Sequence, residues 1–232
     1  MTKEELLQTY FYIEDISGSA NTVYVTKYES SAPSITLYYS YDCTTWYSFT
    51  FSTTSFAISL PANSRVYLKG NNGYFSSRKY NYINCANNFK AGGNIMSLIS
   101  GDNFKTTKTI TNEFALAGVF YHGTRLIDAS ELILPATNLS NNCYQSFFAY
   151  CSNLTTPPKI LDCTTLSSEC YRYMFGACSS LTTAPELPAT ELVYGCYYQM
   201  FYNCTKLNYI KADFINYNIN NTYISKQDEC NN

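Results

Sequence analysis

Between about residues 22 and 70, apolar and polar side chains alternate with a period of two. Val23 and Val25, then Ile35, Leu37, Tyr39 and Tyr41, then Tyr47, Phe49 and Phe51, then Phe56, Ile58 and Leu60, then Val66 and Leu68 form short alternating runs. Turn-forming clusters separate them at short intervals, which predicts a small antiparallel β-sandwich over residues 19–75. Ahead of it, Leu6, Leu7, Tyr10 and Phe11 follow Lys3, Glu4 and Glu5 at helix-like spacing, so a short amphipathic helix is expected, ended by Gly18 and Ser19. Residues 1–18 then read either as a frayed terminus or as an anchor segment whose apolar residues Leu6, Leu7, Tyr10 and Phe11 dock on a partner. Residues 76–113 show no sustained period and are expected to be irregular, with a strand or two, connecting the sandwich to the C-terminal half and capping that half.

The pattern changes after residue 113. Cys143, Tyr144, Phe148, Cys151 and Leu154 recur as Cys170, Tyr171, Phe175, Cys178 and Leu181, and again as Cys196, Tyr197, Phe201, Cys204 and Leu207. The offset is 27 residues from Cys143 to Cys170 and 26 from Cys170 to Cys196, a period that signals stacked repeats. Within a copy, Cys170, Tyr171, Met174, Phe175 and Cys178 lie at i, i+1, i+4, i+5 and i+8, which predicts one helix of about two to three turns with Ser167 as its N-cap. The following Leu181–Ala184 stretch is short and is stopped by Pro185, so each copy reads as a helix plus one short strand. Phe120, Gly123 and Leu126 match the Phe, Cys and Leu positions in a degenerate first copy, as an N-terminal cap would. The fold class expected is therefore α+β: an N-terminal antiparallel β-sandwich, then a helix-plus-strand solenoid over residues 114–212, closed by a C-terminal cap or tail at 213–232. Phe148, Phe175 and Phe201 should stack as an aromatic ladder, with Leu154, Leu181 and Leu207 across the core.

The triple pattern, with LPAT at Leu134 to Thr137 and Leu187 to Thr190 and LTTAPE at Leu181 to Glu186, resembles the BspA-like leucine-rich repeats over about residues 114 to 212. In the middle copy Asp162 and Cys163 stand where the motif has Pro and Ala. The resemblance implies adhesion or protein interaction without an agreed catalytic residue. It also implies a source among gut Bacteroidales or the phages that infect them, where such repeats often follow a small β-domain. A second, local likeness is a shortened Asp-box in Ser40, Asp42, Thr45 and Trp46, a hairpin motif best known from sialidases. This copy lacks the motif glycine, and the motif is structural, so it carries no hydrolase implication.

Composition narrows the function. The chain has 232 residues with 24 Tyr and 14 Phe, only 14% charged residues and a formal net charge of -2. Without a basic stripe there is no footprint for nucleic acid. No run reaches the roughly 18 apolar residues of a membrane span. Six of the ten cysteines occupy repeat-equivalent positions; their side chains should point in parallel, which suits buried thiols better than disulfides or a zinc site. His122 is the only histidine and reads as a surface residue. Glu14 with Asp15, Asp128 with Glu131, and Glu186 with Glu191 are the nearest acid pairs, and each reads as a solvated face. No GxSxG, HExxH, P-loop or GxGxxG pattern occurs. The expectation is a non-enzyme with no cofactor and no metal.

Tyr150, Tyr173, Tyr198 and Tyr202 fall between the core positions of the repeats and should point partly outward, where aromatic rings stack on sugars or anchor protein interfaces. They are the candidate interaction surface. The opening residues lack the basic and apolar regions of a secretory signal, and a virion protein needs none. The expected role is thus a phage virion structural protein: a head fibre, capsid decoration protein or tail-fibre adhesin. It would attach to virion proteins through its N-terminal part, present the repeats to a host glycan or protein, and act as a homodimer or homotrimer at the virion surface. The alternatives are a bacterial cell-surface adhesin and an intracellular scaffold.

Overall fold

A computed structural model describes residues 1–51 and 55–214. The chain begins with a short helix α1 (Lys3–Leu7), capped by Thr2 and Glu5 in a reciprocal capping box. Eight strands follow: β1 (Tyr12–Asp15), β2 (Asn21–Lys27), β3 (Ile35–Ser40), β4 (Tyr47–Phe51), β5 (Ser55–Leu60), β6 (Arg65–Gly70), β7 (Asn81–Cys85) and β8 (Phe89–Asn94). A four-residue helix α2 (Ser97–Ser100), a 3-10 turn of helix (Gly101–Lys105) and a ninth strand β9 (Leu126–Ile133) complete the regular elements among the described residues. Two sheets result, one in the order β4-β3-β6-β1-β8-β9 and one in the order β5-β2-β7.

The alternation in the sequence is what fills the space between them. Val23, Val25, Ile58, Leu60 and Ile83 from the smaller sheet and Ile13, Ile35, Leu37, Phe49, Phe51, Val66 and Leu68 from the larger one are buried in one core. Phe49 and Phe56 stack between the sheets with ring centroids 3.9 Å apart. All pairings between these strands are antiparallel except β8 with β9. That parallel pair matters, because β9 belongs to the first repeat copy and so joins the repeats to the sandwich. The same apolar core continues without a break from Phe11 to Leu207.

The expected helix-plus-strand repeats are not what the chain forms. Among the described residues the only α-helices are α1 and α2, and the fold is mostly β with two sheets. Each segment expected to be helical is instead a run of tight turns. The left-handed backbone conformation recurs at every fourth residue: Phe114, Gly118 and His122, then Asn142, Ser146 and Tyr150, then Glu169, Tyr173 and Ala177, then Gly195, Gln199 and Asn203. The reason lies in the period. Apolar pairs at Cys170-Tyr171 and Met174-Phe175, followed by Cys178, repeat every four residues, and a strict four drifts round an α-helix of 3.6 residues per turn but fits a four-residue turn unit without drift.

In the third copy the backbone hydrogen bonds account for every amide from Glu169 to Cys178. The N–H groups of Cys170, Arg172, Met174, Gly176 and Cys178 close turns onto carbonyls three residues earlier. Those of Glu169, Tyr171, Tyr173, Phe175 and Ala177 donate to Tyr194, Cys196, Tyr198, Met200 and Tyr202 of the next copy. Alternate turns carry the positive φ at their third position, as type II turns do. The strand-like parts are reduced to isolated parallel bridges, such as Ile160 with Glu186 and Thr183 with Tyr209. The repeats are thus stacked coils held by a ribbon of turns.

The repeated side chains form ladders through this stack. Phe120, Phe148, Phe175 and Phe201 stack with centroids 5.6, 5.0 and 5.6 Å apart. The six repeat cysteines are buried free thiols, and three of them have a further task. Cys151, Cys178 and Cys204 donate from Sγ to the carbonyls of Phe120, Phe148 and Phe175 in the preceding copy, at 3.1, 3.1 and 3.0 Å. A second ladder joins Tyr144, Tyr171 and Tyr197 at 5.5 and 5.7 Å. Their buried hydroxyls have no hydrogen-bond partner among the described residues. Tyr171→Phe therefore keeps the ring stack and gives up no protein hydrogen bond; stability should be unchanged or raised by up to about 1 kcal/mol in urea denaturation.

The N-terminal segment is part of this architecture. β1 lies between β6 and β8 at the centre of the larger sheet. Lys3 of α1 forms an ion pair with Asp162 at 2.6 Å, and Cys163 donates to the carbonyls of Thr137 and Thr165. Both residues that depart from the LPAT motif therefore have side-chain partners. On the sheet face opposite Ile13, Glu131 accepts a hydrogen bond from Tyr12 Oη and pairs with Lys90 at 2.8 Å. Burial alone would raise the Glu131 carboxyl, but the Lys90 and Tyr12 hydrogen bonds outweigh it and hold it down to about 2. The folded-state value lies below the unfolded one, so this stabilisation is complete above about pH 4.5 and is lost as the pH falls toward about 2. Glu131→Gln should lower stability by about 1–2 kcal/mol at neutral pH, and thermal melts of the two proteins should converge as the buffer is acidified.

Candidate interaction surface

The turn runs place left-handed residues between core pairs, and His122, Tyr150 and Tyr173 at such positions keep part of their rings at the surface. Rings from the repeats and from the sandwich side make a continuous aromatic band. The His122 ring lies flat on Tyr150, with centroids 4.4 Å apart and planes 2° apart, and Tyr28 stacks beyond it at 6.3 Å. Tyr121 meets Tyr28, Tyr80, His122 and Tyr150 edge-on at 5.0, 5.3, 4.5 and 5.5 Å. The band continues from Tyr150 to Tyr173 at 6.0 Å and to Tyr202 at 5.9 Å. Tyr173 Oη donates to Tyr150 Oη at 3.5 Å.

Three of the four tyrosines expected to form an interaction surface, Tyr150, Tyr173 and Tyr202, therefore lie together and are half-buried. The guanidinium of Arg172 lies over the ring of the fourth, Tyr198, at 5.1 Å. Burial raises the hydroxyls of Tyr121 and Tyr173 above the ordinary phenol range and lowers the imidazole of His122. The band presents ring faces with hydroxyl groups along it.

Of the candidate anchor residues, Leu6 and Phe11 are buried in the protein's own core. Phe11 packs on Phe120 at 6.0 Å. Leu7 is half-buried, and Tyr10 donates its hydroxyl to Asp102 at 2.6 Å and meets Trp46 edge-on. These side chains tie the N-terminal segment to the sandwich and the first copy.

Sequence reasoning missed Tyr28, Tyr80, Tyr121 and His122. For His122 a signal existed: it stands two residues after Phe120, as Tyr150 stands two after Phe148, so the repeat alignment puts both in one column. Tyr28 and Tyr80 come from loops flanking β2 and β7 and carry no local signal. No group of three or more His, Cys, Asp or Glu able to hold a metal occurs among the described residues. No family model matches the chain, and no curated protein or solved structure matches it.

Proposed function

We propose that this protein is a non-enzymatic virion component of a phage, a head fibre, capsid decoration protein or tail-fibre adhesin, that binds through the aromatic band on its repeats. The observation that carries the binding role is the band itself: Tyr28, Tyr121, His122, Tyr150, Tyr173 and Tyr202 in an unbroken chain of ring contacts on one face. Rings of this kind bring large contact area with few torsions to order, and hydroxyls that adapt to a protein or glycan partner. The virion setting rests on the BspA-like resemblance and is favoured by the thiol ladder. Cys151, Cys178 and Cys204 act as hydrogen-bond donors, a role that only the reduced form fills and that suits assembly in a reducing cytoplasm.

Attachment to the particle falls to the sandwich, with the repeats facing the host and the chain present as a homo-oligomer. Mass spectrometry of purified particles tests the setting, and absence of the chain from them overturns it. Binding of the recombinant protein to host cells tests the surface. The double variant Tyr150→Ala, Tyr173→Ala should lose at least ten-fold in affinity, equivalent to about 1.4 kcal/mol, with its fold checked by circular dichroism. Undiminished binding would remove the band from the function.

A further inference from the structure

A second site lies in the sandwich, at the end of β6 and the turn after α2. Tyr38, Trp46, Lys69, Asn71, Asp102 and Asn103 line a cavity of about 520 Å³, within the roughly 300–1,000 Å³ of small-molecule sites. Trp46 is the only tryptophan of the chain. The shortened Asp-box holds the loop that carries it. Asp42 Oδ1 accepts from the amides of Thr44 and Thr45, both at 2.8 Å, and Ser40 Oγ accepts from the amide of Cys43 at 2.9 Å. The amide bonds from Thr45 and Thr44 keep the Asp42 carboxyl well below the usual carboxylate range. The indole Nε1 donates to the Cys43 carbonyl at 3.3 Å. The ring is also gripped from the sheet, with Lys69 Nζ 4.1 Å from its centroid and Tyr10 edge-on at 4.9 Å.

Two of the polar groups, Lys69 and Asp102, are fixed as well. Tyr10 Oη and Lys69 Nζ both donate to Asp102 Oδ1, at 2.6 and 2.7 Å. Asp102 Oδ2 is left without a partner among the described residues, on a side chain that is 68% exposed. Lys69, 13% exposed, has its charge balanced by Asp102, so the cavity has no unpaired charge to draw an anion. A flat half-exposed indole beside a pre-positioned carboxylate and two amides, with no net charge, matches one ligand class. The C–H face of a pyranose packs on the ring, and its adjacent hydroxyls both donate to the carboxylate and accept from the amides. A platform already ordered by its own hydrogen bonds loses little entropy on binding.

We propose that this cavity binds a neutral pyranose residue, a hexose or N-acetylhexosamine. The site is separate from the tyrosine band and stands or falls independently of it. Trp46 supplies the test, since its emission reports this cavity alone. The wild-type protein is titrated with the methyl glycosides of glucose, galactose, mannose and N-acetylglucosamine, and with glucuronate as an anionic comparison, while the emission is followed. At least one neutral glycoside should give a saturable change. Asp102→Asn, on an exposed side chain, should weaken it about ten-fold, and the Tyr150→Ala, Tyr173→Ala variant should leave it unaltered. No saturable response to any neutral glycoside, a response to glucuronate alone, or wild-type affinity in Asp102→Asn would each overturn the assignment.

Discussion

Phe175→Ala should lower the unfolding free energy by roughly 3–5 kcal/mol, the range for truncating a buried aromatic. Phe175 is fully buried and stacks on Phe148 at 5.0 Å and on Phe201 at 5.6 Å, so its loss opens a cavity between two copies. Its carbonyl also accepts from the Cys178 amide and the Cys204 thiol, and those bonds lose their setting if the backbone relaxes into the gap. Because one core runs from the sandwich through the stack, the loss should appear as a shifted cooperative transition in urea, read by circular dichroism. An unchanged midpoint would show that the ladder does not support the stack. Phe175→Leu, which keeps most of the volume, should cost less than half as much.

Gly93→Ala should be as damaging, for a different reason. Gly93 has φ +77°, and a Cβ built there would lie 2.1 Å from the carbonyl oxygen of Tyr10. Side-chain-bearing residues lose about 1–2 kcal/mol in that conformation, and the overlap with backbone forces β8 away from the chain entering β1. The total expected is roughly 3–5 kcal/mol. Gly18→Ala is the control: Gly18 has φ +73° with nothing within 4 Å, so it should cost only about 1 kcal/mol. Equal losses at the two sites, measured by chemical denaturation, would mean that the conformational term alone is responsible and the close approach of the two strands is not.

The sandwich strands between residues 21 and 70 were legible because one of their faces is buried and the other wet, which writes a period of two into the sequence. β7 and β8 were not. In β7 the buried Asn81 takes an apolar position, since its amide donates to the carbonyls of Pro33 and Phe75. In β8, Ala91, Gly92 and Gly93 offer little side chain to read, and Gly92 is small because the Tyr12 ring lies where its Cβ would be. The copies themselves were visible in sequence, as were their core residues, but their conformation was not. Spacings of i, i+4 and i+8 suit a helix over one copy, and only the strict four of Cys170-Tyr171, Met174-Phe175 and Cys178 separates a turn ribbon from it. On the interaction surface, Tyr150, Tyr173 and Tyr202 followed from their place between core positions. Their neighbours from distant loops did not, because that contact exists only once the stack has docked on the sandwich.

The hydrogen-bonded ribbon also has a direction. At its first copy the carbonyls of Ala115 and Val119 accept from the amides of Phe75, Ser76 and Ile83, so the sandwich closes that end. At the fourth copy the amides of Tyr197, Gln199, Phe201 and Asn203, which would donate to a following coil, have no such partner among the described residues. The sandwich therefore covers one end of the ribbon, and each copy donates amides to the next. Gain or loss of one unit of 26 or 27 residues within the stack would lengthen or shorten it by one layer while leaving the sandwich, its cavity beside Trp46 and the first layers of the band intact.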